Sequence, residues 1–209
     1  MPSATTLLLF ALATLILTAS PGPGVIYVVS RSLAQGRRGG FASMFGIETG
    51  EVLWLFATAT GLAALLAASS NALTFLRFAG AAYLIVLGIQ RWRRVGELVV
   101  PEQAPIGRIF AQGFLTQLLN PKVAVFFVAF LPQFLDSSQP IVPQVVILGA
   151  VYLAVAVMVD VTYVMTATAA SSRFLHRPML QKRTNQFAAA TYVALGVAAV
   201  ALGEKPAGR

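Results

Sequence analysis

Four ionisable side chains lie inside long apolar stretches of this chain: Glu48, Glu51, Lys122 and Asp160. A charge at the centre of a bilayer costs at least about 2.5–3.5 kcal/mol on insertion scales. Such a residue persists where it faces an interior, pairs with a partner, or carries a proton. Three acids against one base leave surplus negative charge if all ionise. Lys122 is expected to neutralise one acid, and another then holds a proton or meets an ammonium brought by a ligand. Glu48 and Glu51 are three residues apart, so on a helix they share a face and repel when both are charged. They and Asp160 are the candidate proton-coupling residues. Two plainer readings stand beside this one. Glu48 lies about two turns past Gly40 and is close enough to an interface to snorkel. Asp160 and Lys122 would also serve as a structural ion pair between helices. Tyr163, three residues after Asp160 on the same helical side, is a candidate neighbour of the site.

Two interruptions in apolar runs complete the candidate site. One is Ser20-Pro21-Gly22-Pro23-Gly24, and the other is Asn120-Pro121-Lys122. Proline lacks an N–H and clashes with the preceding turn, so neither segment continues an unbroken helix. Non-helical backbone at membrane depth is tolerated where it is buried or lines a cavity. A helix restarting near Gly24 would present free N–H groups and the positive end of its dipole, a seat for a carboxylate. A simple proline kink is the plainer reading. Paired breaks at matching places in two halves favour a transport site. The candidate substrate-binding positions are therefore Pro21, Gly22, Pro23, Gly24, Asn120, Pro121, Lys122 and Tyr163.

Composition decides what kind of molecule must position these groups. The chain has 209 residues, 57% hydrophobic and 11% charged, with mean hydropathy +0.78. Soluble domains are roughly 45–50% apolar and about 25% charged. A soluble enzyme and a disordered chain are both excluded, and a polytopic membrane protein in a lipid bilayer remains. There is no cysteine and a single histidine, His176. That excludes disulfides, thiolate metal sites and multi-histidine centres. No cofactor, metal site or catalytic residue is expected, since Ser20 and Ser30 have no histidine within the membrane to act as base. The net charge of +8 is assigned to arginine-rich loops facing anionic lipid and not to nucleic acid.

Six apolar stretches are legible, at roughly 5–30, 41–68, 72–90, 109–135, 141–170 and 186–203. Gly36-Arg37-Arg38-Gly39-Gly40 separates the first two, and Asp136-Ser137-Ser138-Gln139-Pro140 is a short turn before the fifth. The first, third and fifth loops carry eleven of the 15 Lys and Arg residues, Arg31, Arg37 and Arg38 among them. The second and fourth carry none, apart from Arg77 just inside the third span. The positive-inside rule then supports six spans with both termini outside the cytoplasm. No basic residue precedes the first run, and Pro21 would follow a cut after Ser20, so the run reads as a retained span. The expected fold is an all-α integral membrane protein, one transmembrane domain over 1–209. It consists of six helices in two inverted three-helix repeats, about 1–94 and 105–205, each with a broken first helix. Gly36-x-x-x-Gly40 and Gly46-x-x-x-Gly50 are expected to allow close helix packing. With such small-residue faces a homodimer is an open option.

The motifs also resemble a known family. Pro21-Gly-Pro-Gly24-Val, Ser30-Arg-Ser-Leu-Ala-Gln-Gly36, Gly46-Ile-Glu-Thr-Gly50, Gly61-Leu62, Gly80-Ala-Ala-Tyr-Leu84, Leu87-Gly88 and Gly113-Phe-Leu run in its order. They continue through Asn120-Pro-Lys122, Phe126-Phe127 and Leu131-Pro-Gln-Phe134. In this the chain resembles the lysine exporter family, and more closely its homoserine and threonine resistance branch. The resemblance implies six-helix amino-acid exporters of the bacterial inner membrane driven by the proton motive force. It carries the two breaks onto residues 21–24 and 120–122. Asp160 and Tyr163 fall where the family tends to have an acidic and an aromatic residue, and Glu51 where acids are common without being universal. The expectation is an exporter of small amino acids or related zwitterions, exchanging them for protons. A cation or metal-ion exporter of related architecture is the alternative, and an intramembrane enzyme a more distant one.

Overall fold

The computed structural model describes residues 2–68, 101–136 and 138–170, with single positions 82, 86, 89, 193 and 197. Apart from those positions the expected third and sixth spans lie outside the described residues, as do Tyr83, His176 and the basic stretch after Ser171. Regular structure among the described residues is helical throughout.

Helix α1 (Ala4–Ala19) begins at Ser3, whose side chain accepts from the Thr6 N–H at 3.1 Å. It ends because Pro21 follows Ser20. A residue before proline is driven out of the helical region, and Ser20 sits at φ −76°, ψ 126°. Helix α2 (Pro23–Ala68) restarts with proline at its first position, where the missing N–H has no partner to lose. The axis bends by 55° between Ala4–Ala19 and Pro23–Gly61.

Helix α2 consists of two arms. Gln35 (φ −133°, ψ 15°) and Gly36 (φ 61°, ψ −156°) leave helical geometry. Positive φ is open to glycine at little cost. The chain reverses there. A side chain on Gly40 would meet Ser32 and Val164, and one on Gly24 would meet Ile47. Eight residues of straight helix span about 12 Å, so neither approach is compatible with a continuous rod. The expected reversal between the first two spans is present, confined to Gln35–Gly36. The expected packing role of Gly36 is not. No described residue lies within 4 Å of where its Cβ would stand, and its function is the turn. Gly46 and Gly50 do pack as expected, against the backbone of Phe110 and Phe114 and the side chain of Gln117.

Helices α3 (Ile106–Leu118) and α4 (Pro121–Val125) repeat the first break. Asn120, before Pro121, is extended at φ −78°, ψ 109°, and its side chain accepts from the Lys122 N–H at 3.1 Å. The chain continues through a wide π turn, Phe126–Phe130, and a tight 3-10 turn, Leu131–Phe134. Pro132 has no N–H to donate, and the change of helical pitch absorbs that loss. Asp136 closes the following turn, accepting from the Ser138 N–H (2.9 Å) and Oγ–H (2.6 Å). These two bonds hold its carboxyl below the usual aspartate range.

Helix α5 (Ile141–Ala169) is long and apolar enough to cross a membrane unaided, and the two bent pairs qualify if each forms one span. It is apolar all round. Val145, Leu148 and Tyr152 are buried, while Val142, Val146 and Met158 are exposed. In water that exposed face would be a liability, but against lipid it is the expected surface.

The core toward the Asp136 turn is aromatic: Phe10, Phe126, Phe127, Phe130 and Tyr152. Ring centroids of Tyr152 lie 5.2 Å from Phe126 and 4.8 Å from Phe127. The opposite end is tied by polar bonds. Gln35 Nε2 donates to the Ala104 carbonyl at 2.8 Å, and its Oε1 accepts from the Ala104 N–H at 2.9 Å. Arg31, counted by sequence as a loop charge, is instead buried. It donates to the Glu102 carbonyl and to Gln112 Oε1, each at 2.9 Å, and lies over the Tyr27 ring. These bonds bring the first loop and the segment before α3 to the same end. Val164 beside Gly40 brings the close of α5 there too. The first basic loop, the segment before α3 and the close of α5 thus lie at one end of the described bundle.

Candidate functional site

Both breaks face one polar cavity of about 30 Å³ between the aromatic core and the Arg31 ties. Glu51, Gln117, Asn120, Lys122, Tyr152 and Asp160 supply its polar border. Val25, Ile47, Val123 and Ala156 form much of its apolar wall. The volume admits about two water molecules and no amino acid.

Helical spacing explains the convergence. Tyr152, Ala156 and Asp160 succeed one another at four-residue steps on α5 and so share a face. Glu51 enters from the second arm of α2, one residue past Gly50. The absence of a side chain at Gly50 lets that arm approach Gln117 on α3. Gly24 also leaves room for Gln117. A Cβ there would stand 2.9 Å from Gln117 Oε1.

One hydrogen-bond chain joins the second break to Glu51. The Asn120 oxygen is committed to the Lys122 backbone N–H, so its amide nitrogen is the donor to Gln117 Oε1, at 3.1 Å. That in turn directs the Gln117 nitrogen to Glu51 Oε1, at 2.5 Å. A backbone N–H, which has only one polarity, thus orients both amides. The Tyr152 hydroxyl gives Glu51 Oε1 a second bond, at 3.0 Å. The opposite oxygen, Oε2, is buried and meets no N–H or O–H among the described residues.

The broken end of α1 is closed by two long-range donors. Lys122 Nζ donates to the Ser20 carbonyl, and the Tyr163 hydroxyl to the Ala19 carbonyl, each at 2.7 Å. These are C-terminal carbonyls that a helix leaves unpaired. The Lys122 ammonium also attracts Asp160. Lys122 therefore links the two breaks to each other and to α5.

Of the residues singled out from sequence, Gly22, Gly24, Glu51, Asn120, Lys122 and Asp160 border the cavity. The others stand behind it. Pro21 is buried outside the lining, Pro23 is exposed, and Pro121 opens α4. Tyr163 reaches the Ala19 carbonyl and not the cavity. Glu48 does not snorkel. It is 8% exposed, and both its oxygens lack a donor among the described residues. Sequence reasoning missed Gln117 and Tyr152. Each had a signal: an amide inside an apolar run three residues before Asn120, and a hydroxyl two turns before Asp160 on one helical face. Among the described residues no three Asp, Glu or His side chains are grouped so that they could hold a metal ion.

A bundle of apolar helices, broken by proline around buried charge, is the architecture of a membrane transporter. The chain matches the LysE type translocator family over residues 15–203, and it belongs to that family. It is a membrane translocator and not an enzyme. It is 33% identical to the homoserine/homoserine lactone efflux protein of Salmonella typhimurium over 190 residues, 90% of this chain and 92% of the relative. It is 30% identical to a membrane protein of Vibrio cholerae over 194 residues, 91% of this chain and 94% of the relative. The leucine efflux protein of Salmonella choleraesuis is 31% identical over 128 residues, 57% of this chain and 58% of the relative. No solved structure matches the chain.

Proposed function

We propose that this protein is a multi-pass exporter of small amino acids in the bacterial inner membrane, working by exchange with protons. Homoserine, leucine and related molecules are the proposed substrates. The observation that carries the reading is the polar cavity where two proline breaks meet the acids Glu51 and Asp160 and the base Lys122. The relatives' names add a chemical constraint. Homoserine, its lactone and leucine share an α-amino group, whereas the lactone has no free carboxylate. A site common to them must recognise the ammonium, and buried carboxylates are the groups suited to that.

In this mechanism Asp160 or Glu51 receives the substrate ammonium, and Gly22–Gly24 offers backbone N–H groups to the carboxylate when there is one. The two breaks differ here. Asn120 already accepts from the Lys122 N–H, whereas the N–H groups of Gly24 and Val25 meet no side-chain oxygen among the described residues. Protons on Glu48, Glu51 or Asp160 compete with the ammonium, which couples the fluxes. The observed cavity is too small for substrate, so its walls must part. We assign that motion to rocking of two inverted three-helix halves, about 1–94 and 105–205, within six spans. The matched breaks at Ser20-Pro21 and Asn120-Pro121 support that arrangement.

The test uses purified protein in proteoliposomes loaded with homoserine, homoserine lactone, threonine or leucine under an imposed pH gradient. Gradient-dependent efflux of one or more is expected. Absence of efflux for a wide panel, from protein shown to be folded, would overturn the reading.

A further inference from the structure

The least satisfied polar group in the described structure is not at the cavity but one helical turn from it. Glu48 is 92% buried, being 8% exposed, and neither of its carboxyl oxygens meets a donor among the described residues. Glu51 is 3% exposed, and its Oε2 is equally without one. The two side chains lie within hydrogen-bonding reach of one another, as their three-residue spacing on one arm requires. Buried oxygens without partners are rare because they forfeit hydration and gain nothing. Here three such atoms belong to two adjacent carboxyls, and a single hydrogen on one of them would bridge the pair.

We infer that Glu48 and Glu51 form a dedicated proton-binding site, sharing one proton between Glu48 and Glu51 Oε2, separate from the seat of the substrate ammonium at Asp160. The inference rests on the exporter reading and divides its acids between two tasks. Glu51 Oε1 is unavailable for the proton because Gln117 and Tyr152 both donate to it. Oε2 is left, and Glu48 lies within hydrogen-bonding reach of the Glu51 carboxyl. Among the described residues, the groups facing the pair from other elements are Asp160 and Tyr152 on α5, and Gln117 on α3, with Lys122 on α4 acting through Asp160. With one proton on the pair, two negative charges oppose the Lys122 ammonium, and a substrate ammonium restores balance. A second proton on the pair removes that surplus negative charge and so weakens the hold of Asp160 on the substrate ammonium. Coupling then needs no atom to bind proton and substrate in turn. It needs only that the two seats lie close enough in a low-dielectric interior to sense each other.

The experiment is infrared difference spectroscopy of the full-length protein in lipid bilayers across a pH series, in H₂O and D₂O. A carbonyl-stretch band of a protonated carboxyl, shifted by D₂O, is expected in the wild type. It should be lost in Glu48→Gln and Glu51→Gln and kept in Asp160→Asn. Fluorescence of Trp54, read in a Trp92→Phe background, reports that α2 and α3 remain packed in each variant, since its indole N–H donates to the Leu118 carbonyl at 3.2 Å. Should Glu51→Gln fail that check, Glu48→Gln decides alone. In proteoliposomes the pH dependence of efflux should vanish in Glu48→Gln, whereas Asp160→Asn should lower the rate and keep the dependence. A band that disappears only in Asp160→Asn, no such band in the wild type, or a wild-type pH dependence in Glu48→Gln would overturn the assignment. Failure of the exporter reading is distinguishable, since the band is measured without substrate.

Discussion

At the scale of single residues, the site is an arrangement of donors around one carboxylate oxygen. Glu51 Oε1 receives Gln117 and Tyr152, and the direction of the first bond follows from the Lys122 backbone N–H two links away. Removing one donor leaves a buried acceptor short of a partner, at a cost of about 1–3 kcal/mol. Tyr152→Phe keeps the ring against Phe126 and Phe127 and deletes only the hydroxyl. We expect a lower thermal midpoint in detergent and a reduced efflux rate in proteoliposomes. A variant with wild-type stability and rate would remove Tyr152 from the network. Lys122→Met should be more damaging, since it uncovers the Ser20 carbonyl and leaves Asp160 without its cation. Stripping one partner from a buried charge pair costs roughly 3–5 kcal/mol. Asp160→Asn in the same chain removes the stranded charge and should recover part of the loss in an unfolding assay. No recovery in the double variant would show that Lys122 acts through the Ser20 carbonyl alone.

At the scale of helices, glycines decide how closely the elements approach, and their roles are not equal. Gly46 lies against the backbone of Phe110, which cannot yield as a side-chain tip can. Gly46→Ala should therefore overpack the α2–α3 contact and cost about 1–3 kcal/mol. Gly107, in the first turn of α3, has no described residue within 4 Å of where a Cβ would stand. Gly107→Ala should be neutral or stabilising by about 0.4–1 kcal/mol, because alanine restricts the unfolded chain. Thermal unfolding of the two variants side by side checks the contrast, and equal shifts would refute it. Gly36→Ala should cost about 1–3 kcal/mol although no described residue faces it, because φ 61° with ψ −156° is a backbone region essentially confined to glycine. Both spacings read alike in the sequence as small-residue packing motifs. The difference lies in which partner faces each glycine, and local spacing carries no information about that.

At the scale of the whole molecule, transport requires the elements around the cavity to separate, and the Arg31 and Gln35 bonds to residues 102–112 tie the basic-loop end shut. The protein contains no cysteine, so a pair introduced at Gln35 and Ala104 would be the only thiols in it. Joining them with a short thiol crosslinker should abolish efflux, and a reducible linker should restore it on cleavage. Full efflux from the crosslinked protein would show that this end does not open. The membrane class, both breaks and the buried acids were all legible in the sequence. Each follows from a local or summed property: hydropathy, the geometry forced on the residue before a proline, and the cost of charge in hydrocarbon. Tertiary structure alone decided the partners. It moved Arg31 from a loop to a buried tie, set Tyr163 on the Ala19 carbonyl and not at the cavity, and brought Gln117 and Tyr152 onto Glu51. Those contacts join residues 66 to 144 positions apart. A hydrogen bond depends on the direction and reach of two specific side chains, and only the packing of helices against one another brings such distant groups within that reach.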